Sequence, residues 1–157
     1  MVNTVGKKIS EDEKAYLAGL IDADGAIMAL IENNKDLKFK FRVRIVVKVS
    51  MNNDKVINWI GQHFELGFIV KNRRSYEWIV KDQVSVWKIL GLISKYLIGK
   101  ADQLELALKI LEYKPRSKED FLKICKLADA LSNLNIRSKN RRKNNAITVK
   151  EYFSRND

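Results

Sequence analysis

One cysteine, one histidine and one proline in 157 residues narrow the possibilities at once. A single Cys125 leaves no intrachain disulfide and fits a reducing compartment. Its apolar companions at helical spacing, Phe121, Leu122 and Ala128, place it in a core. With His63 as the one histidine and no Cys/His cluster, the sequence argues against a zinc site and against a Ser-His-Asp triad. Any metal then has to be a hard cation held by carboxylates. No apolar run approaches the roughly 18 residues that span a bilayer, so no membrane partner is expected. The stretch Met1–Ser10 is polar and reads as no signal sequence.

Negative charge is also in short supply. Thirty Lys and Arg against nineteen Asp and Glu give a net charge of +11, which favours a polyanionic partner. Hydrophobic residues make up 46% of the chain, enough for one globular domain over 1–157, with 137–157 as a basic C-terminal tail. Lysine, isoleucine and asparagine, at 21, 16 and 13, all have AT-rich codons and point to an AT-rich genome such as that of an organelle.

Ser10 and Glu13 form an S-x-x-E capping box that opens a helix near residue 11. Leu17, Leu20 and Ile21 form its apolar stripe, and Gly25 is expected to end it as a left-handed exit. A second stripe, Ala15, Gly19 and Ala23, is small at i, i+4, i+8, and small residues let two helix backbones approach closely. The partner helix is expected from a second copy of the chain through a twofold contact. A strand over 26–32 follows, then a turn at 33–36.

Residues 38–50 alternate with period two. Phe39, Phe41, Val43, Ile45, Val47 and Val49 face a core. Lys38, Lys40, Arg42, Arg44, Lys48 and Ser50 face away, with Val46 as the exception. A helix is expected over 54–65, then strands near 67–71 and 75–81 joined by the basic turn Asn72-Arg73-Arg74. Helices should follow at 83–97, 101–113 and 118–134, and a short one at 146–153. Pro115 separates two of them, and Ser117 is an N-cap candidate. The order predicts an α+β fold, an αββαββα core whose antiparallel sheet forms a saddle, with additional C-terminal helices on one side. The other side of the sheet is expected to be basic.

A β-ribbon fits the major groove of a duplex. Residues 38–50 would extend about 40 Å, or about 12 base pairs of rise. Arg42 and Arg44 suit bidentate contacts to guanine, and Lys48 a simpler one. Glu77 suits cytosine N4, while Met28, Leu30 and Ile79 suit thymine methyls. Asn33 and Asn34 suit adenine at the outer end. Glu32, Lys38, Lys40, Asn72 and Arg74 complete the DNA-facing set. Lys139, Arg141, Arg142 and Lys143 suit phosphates.

Residues 17–25 read L-A-G-L-I-D-A-D-G. Asp22 and Asp24 stand at the negative end of the motif helix, where carboxylates are unfavourable without a cation. Two such ends meeting at a twofold axis beside phosphates call for Mg²⁺. All nine letters match the signature that names the LAGLIDADG homing endonucleases, and the chain resembles the single-motif, homodimeric, intron-encoded branch of that family. The resemblance implies a site-specific endonuclease making a staggered double-strand break in a long pseudo-palindrome. It implies that Asp24 and the backbone carbonyl of Ala23 bind metal, that Asp22 is structural, and that Lys55 and Lys100 are catalytic. Ca²⁺ is expected to support binding without cleavage. Close relatives often carry a polar residue such as glutamine at the end of the long strand, and here that position is Met51, followed by Asn52. An RNA-binding maturase acting on its own intron, or a non-cleaving DNA-binding protein on the same fold, are the alternative readings.

Overall fold

Ser10 starts the first helix, α1 (Glu11–Asp24), through the reciprocal pair that the sequence spells. Its hydroxyl accepts from the Glu13 N–H at 3.2 Å, and the Glu13 carboxylate accepts from the Ser10 N–H at 2.8 Å. The structure, a computed structural model, describes residues 7–135 and 144–157. Beyond α1 run β1 (Gly25–Asn33), β2 (Phe41–Met51), α2 (Asp54–Phe64), β3 (Phe68–Lys71), β4 (Tyr76–Val80), α3 (Gln83–Ile93), α4 (Ala101–Glu112), α5 (Lys118–Leu134) and α6 (Asn145–Arg155). This is the expected αββαββα core with further C-terminal helices.

The strands form one antiparallel sheet in the order β1-β2-β4-β3. Alternation decides its faces: Ile27, Ile45, Val47, Val49, Trp78 and Val80 are buried on the inner side, with Leu17, Ile21, Ile57, Ile60, Ile89 and Phe121 of the helices in the same core. The wholly buried Trp78 satisfies its indole N–H by donating to the Leu66 carbonyl at 2.8 Å.

Side chains cover exposed strand backbone. The Gln83 amide accepts from the Ile45 N–H at 2.9 Å and donates to the Ile45 carbonyl at 2.8 Å, just past the last β2–β4 pair, Val47 with Val80. On the edge strand β1, Asn135 donates to the Ile27 carbonyl at 2.7 Å and Ser132 to that of Ala29 at 3.4 Å. Both devices occupy backbone groups that would otherwise template a foreign strand.

Three expectations change. Gly25 is extended, with φ −96° and ψ 177°, so it does not close α1 in the left-handed region. Glycine is needed there because a Cβ would stand 2.6 Å from the Ile21 Cα. The long strand begins at Phe41, not at residue 38. Lys40 takes a positive φ of 61° and its carbonyl accepts from the Asn34 N–H at 2.8 Å, while Phe39 stacks on Phe121 with ring centroids 5.4 Å apart. Helix packing thus draws Phe39 off the strand. The helix expected over 83–97 stops at Ile93, whose carbonyl accepts from both Tyr96 and Leu97 N–H. Among the described residues no helix is long and apolar enough to cross a membrane.

Candidate active site and nucleic-acid interface

The C-terminal end of α1 carries Asp22, Ala23 and Asp24 and no basic residue in its last turn. Asp22 turns toward the loop before α4. Its carboxylate accepts from the Ile98 N–H and the Lys100 N–H, each at 2.9 Å, and its backbone carbonyl accepts from the Lys100 ammonium at 2.6 Å. A cation at the carbonyl end of a helix offsets the macrodipole. Lys100 therefore supplies from a distant segment the charge that α1 lacks.

Asp24 differs from Asp22 in every respect. Its side chain is exposed, and among the described residues it has neither a hydrogen-bond nor an ion-pair partner. Ala23 beside it is exposed as well. A free carboxylate and adjacent backbone carbonyls are hard oxygen donors, the chemistry that Mg²⁺ or Ca²⁺ takes. Among the described residues of one chain no three His, Cys, Asp or Glu side chains gather into a metal cluster.

Lys55 lies in the first turn of α2, where Asn53 caps the helix by accepting from the Lys55 N–H at 3.0 Å. Its ammonium is exposed and unpartnered among the described residues. The pairing of Gly25 with Val49 sets the end of α1 next to the end of β2, the strand that leads into α2. Met51 pairs with Tyr76 and packs against the core, leaving Ser50 as the last outward residue of β2.

The outer face gathers Met28, Leu30, Glu32, Arg42, Arg44, Lys48 and Glu77, because residues paired across antiparallel strands share a face. The face is not uniformly basic as expected. Arg42 and Glu32 are ion-paired at 2.5 Å, and Lys48 and Glu77 at 2.9 Å. Lys48, with further help from Asn72 and Ser50, holds the Glu77 carboxyl below its usual range. Between the two pairs lies an apolar belt, Met28 opposite Val46, while Ile79, opposite Lys48, and Phe68, opposite Ile79, carry apolar surface out to the β3 edge. The outward Phe68, 42% exposed, adds an apolar side chain to this face that sequence reasoning did not single out.

Other assigned residues sit at the rims. Asn72 and Arg74 occupy the β3–β4 turn, closed by the Asn72 N–H donating to the Ser75 carbonyl at 2.8 Å. Asn34 lies in the β1–β2 loop, where its side-chain oxygen accepts from the Asp36 N–H at 3.0 Å. Lys38 and Lys40 belong to that loop and not to the basic strand. Their ammonium groups donate to the backbone carbonyls of Arg116 and Lys35 at 3.3 and 2.7 Å. Lys139, Arg141, Arg142 and Lys143 fall outside the described residues.

Ala15, Gly19 and Ala23 form an exposed stripe on α1, and a Cβ at Gly19 would meet nothing within 4 Å. His63 stacks on Trp59 and lies 3.4 Å from the Glu13 carboxylate, a structural setting. Cys125 is wholly buried, and burial pushes its thiol up to about 12, which leaves it inert.

Comparisons with known proteins agree with this arrangement. The family model for LAGLIDADG endonucleases matches residues 17–105. The DNA endonuclease I-CreI of Chlamydomonas reinhardtii is 29% identical over 137 residues, 82% of either chain. The DNA endonuclease I-CvuI of Chlorella vulgaris is 30% identical over 108 residues, 67% of either chain. The crystal structure of I-CvuI in complex with a DNA target superposes with a TM-score of 0.82 at 27% identity, covering 92% of this chain and 94% of that one. The motif helix, the four-stranded sheet and the run of helices behind it are therefore those of a known group, and the chain belongs to the LAGLIDADG endonuclease family.

Proposed function

We propose that two copies of this chain form a homodimeric homing endonuclease. The dimer binds a long pseudo-palindromic DNA duplex and makes a staggered double-strand break by Mg²⁺-dependent phosphodiester hydrolysis. The observation that carries this reading is the exposed carboxylate of Asp24, without a partner among the described residues, at the end of a helix whose stripe Ala15, Gly19 and Ala23 is exposed. Packing those stripes about a twofold axis brings two Asp24 carboxylates together, which is unfavourable unless a cation joins them.

In this reading Asp24 and the Ala23 carbonyl would hold the metal, which would neutralise phosphate charge and make a water easier to deprotonate for attack on phosphorus. Lys100 keeps its ammonium at the end of α1 through the Asp22 carbonyl, close to where phosphate charge develops. Lys55, free of any partner among the described residues, is available to the same phosphate or to the attacking water. Arg42, Arg44, Lys48 and Glu77 read base edges, and Met28, Leu30 and Ile79 meet thymine methyls. Asn72 and Arg74 extend the contact at the β3–β4 turn, and Lys139, Arg141, Arg142 and Lys143 hold phosphates. The DNA-endonuclease relatives support duplex DNA over intron RNA as the partner. The abundance of Lys, Ile and Asn, residues with AT-rich codons, supports an organellar intron as the source.

The test is a cleavage selection. Wild-type protein is incubated with a randomised pseudo-palindromic duplex library in Mg²⁺, and the broken ends are sequenced. A recurrent long site with paired staggered ends is expected. Asp24→Asn should abolish breakage while duplex remains bound in Ca²⁺. Cutting by that variant would sink the assignment, and stronger retention of structured RNA than of duplex would favour a maturase.

A further inference from the structure

Glu32 stands directly opposite Arg42 in the β1–β2 register. Its Oε2 accepts from Arg42 Nε at 2.5 Å, and Arg44 Nη2 lies 3.5 Å from the same oxygen. One carboxylate oxygen thus serves two arginines that project from the outer face two residues apart. The three side chains remain 31%, 44% and 20% exposed for Glu32, Arg42 and Arg44, so they belong to the surface and not to the core.

This arrangement does two things to the arginines. Engaging Arg42 through Nε leaves the donors on its two terminal nitrogens free, and those form a planar fork. Guanine O6 and N7 accept such a fork. An arginine without a holder samples many rotamers and loses that freedom on binding, so order in the free protein reduces the loss. The second effect is on charge. Two bare guanidiniums side by side would attract any phosphate, and phosphate contacts carry no sequence information. The Glu32 carboxylate cancels one of the two charges.

The inner end of the face is built differently. Lys48 pairs with Glu77, and an ammonium is a point charge without a fork. Arg42 and Lys48 are six residues apart on one strand, about 20 Å at the usual strand rise, or about six base pairs. The apolar belt at Met28 and Val46 separates them. Arg42 lies at the end of β2 away from Val49, the partner of Gly25 at the end of α1. It therefore addresses the outer part of a half-site.

We infer that Glu32 is a positioning residue for DNA recognition: it reads no base itself, aims Arg42 at guanine in the outer part of each half-site, and holds both Arg42 and Arg44 off phosphates. The inference rests on reading the sheet as a duplex-binding surface.

Binding selections in Ca²⁺ from a fully randomised half-site library test it, using the full chain as wild type, Glu32→Gln and Glu32→Asp. Each is first shown to be folded by circular dichroism. The wild type should select guanine at outer positions. Glu32→Gln should lose that preference about tenfold, bind random duplex more tightly, and steepen the salt dependence by about one unit of slope per half-site. Preference at the inner positions addressed by Lys48 and Ile79 should stay within about twofold. Glu32→Asp keeps the charge but shortens the reach, so it should weaken the outer preference without changing the salt slope. An outer preference unchanged in Glu32→Gln overturns the inference, as does equal loss at every position. A switch to another preferred base would make Glu32 a direct reader and overturn it too. If the wild type retains no duplex, the duplex reading falls and takes this inference with it. Retention by the wild type with an unaltered variant overturns this inference alone.

Discussion

Lys100 grips Asp22 from both ends of the residue: its ammonium donates to the Asp22 carbonyl at 2.6 Å, and its backbone N–H donates to the Asp22 carboxylate at 2.9 Å. The two residues are 78 positions apart, yet the pair joins the end of the motif helix to the start of α4. It also divides the labour of the two motif aspartates. Asp22 is consumed by the fold, and Asp24 is left without a partner among the described residues.

Asp22→Ala strips two backbone N–H groups of their acceptor, that of Lys100 partly buried. An orphaned buried donor costs about 1–3 kcal/mol. Chemical denaturation should show a loss of that size. Asp24→Asn should show no loss, since the carboxylate has no partner among the described residues. Equal losses in the two variants would contradict the division.

Gly19 separates fold from assembly. A Cβ there meets open space in one copy, and alanine in a helix interior is favoured over glycine by about 0.5–1 kcal/mol. Gly19→Ala should therefore stabilise the monomer while weakening a dimer built on this face, read by light scattering across a dilution series. Gly25→Ala should only destabilise, because its Cβ would lie 2.6 Å from the Ile21 Cα. A dimer unaffected by Gly19→Ala would place the interface elsewhere.

Glu11 gives stability a particular acid dependence. Lys14, then Lys95 and the Tyr96 hydroxyl hold its carboxyl down to about 2 from an ordinary value of 4.5. A carboxyl depressed in the folded state contributes stability that is complete above the unfolded value and lost as pH falls toward the folded one. Glu11→Gln should therefore flatten the pH dependence of unfolding between about 4.5 and 2. The group is exposed, so the difference should shrink as salt screens it. An identical acid limb in wild type and variant would refute the linkage.

Asp129 caps a helix that it does not belong to. From α5 it accepts from the Asn145 and Ala146 N–H groups at 3.0 and 2.9 Å, at the start of α6, whose own N-cap, Asn144, makes no side-chain cap. Asp129→Ala should cost about 1–2 kcal/mol and release α6 first, seen as faster amide exchange over 145–155 than in α1.

Much of the fold was legible because its signals are local. The capping box at Ser10 and Glu13 spans three residues, the outward-inward alternation of β2 has a period of two, and Ser117 caps α5 within one turn. The nine-residue motif carried the family and pointed to Asp24 as the candidate carboxylate, since a helix end is a local object. Tertiary structure decided what depends on register and packing. Only the β1–β2 register sets Glu32 against Arg42, turning a supposedly basic face into paired charges around an apolar belt. Only the stacking of Phe39 on Phe121 ends the long strand at Phe41 and takes Lys38 and Lys40 off it. The Asp22–Lys100 clamp and the Asp129 cap follow the same rule: each partner is chosen by where the chain returns in space, and no spacing within the sequence records that return.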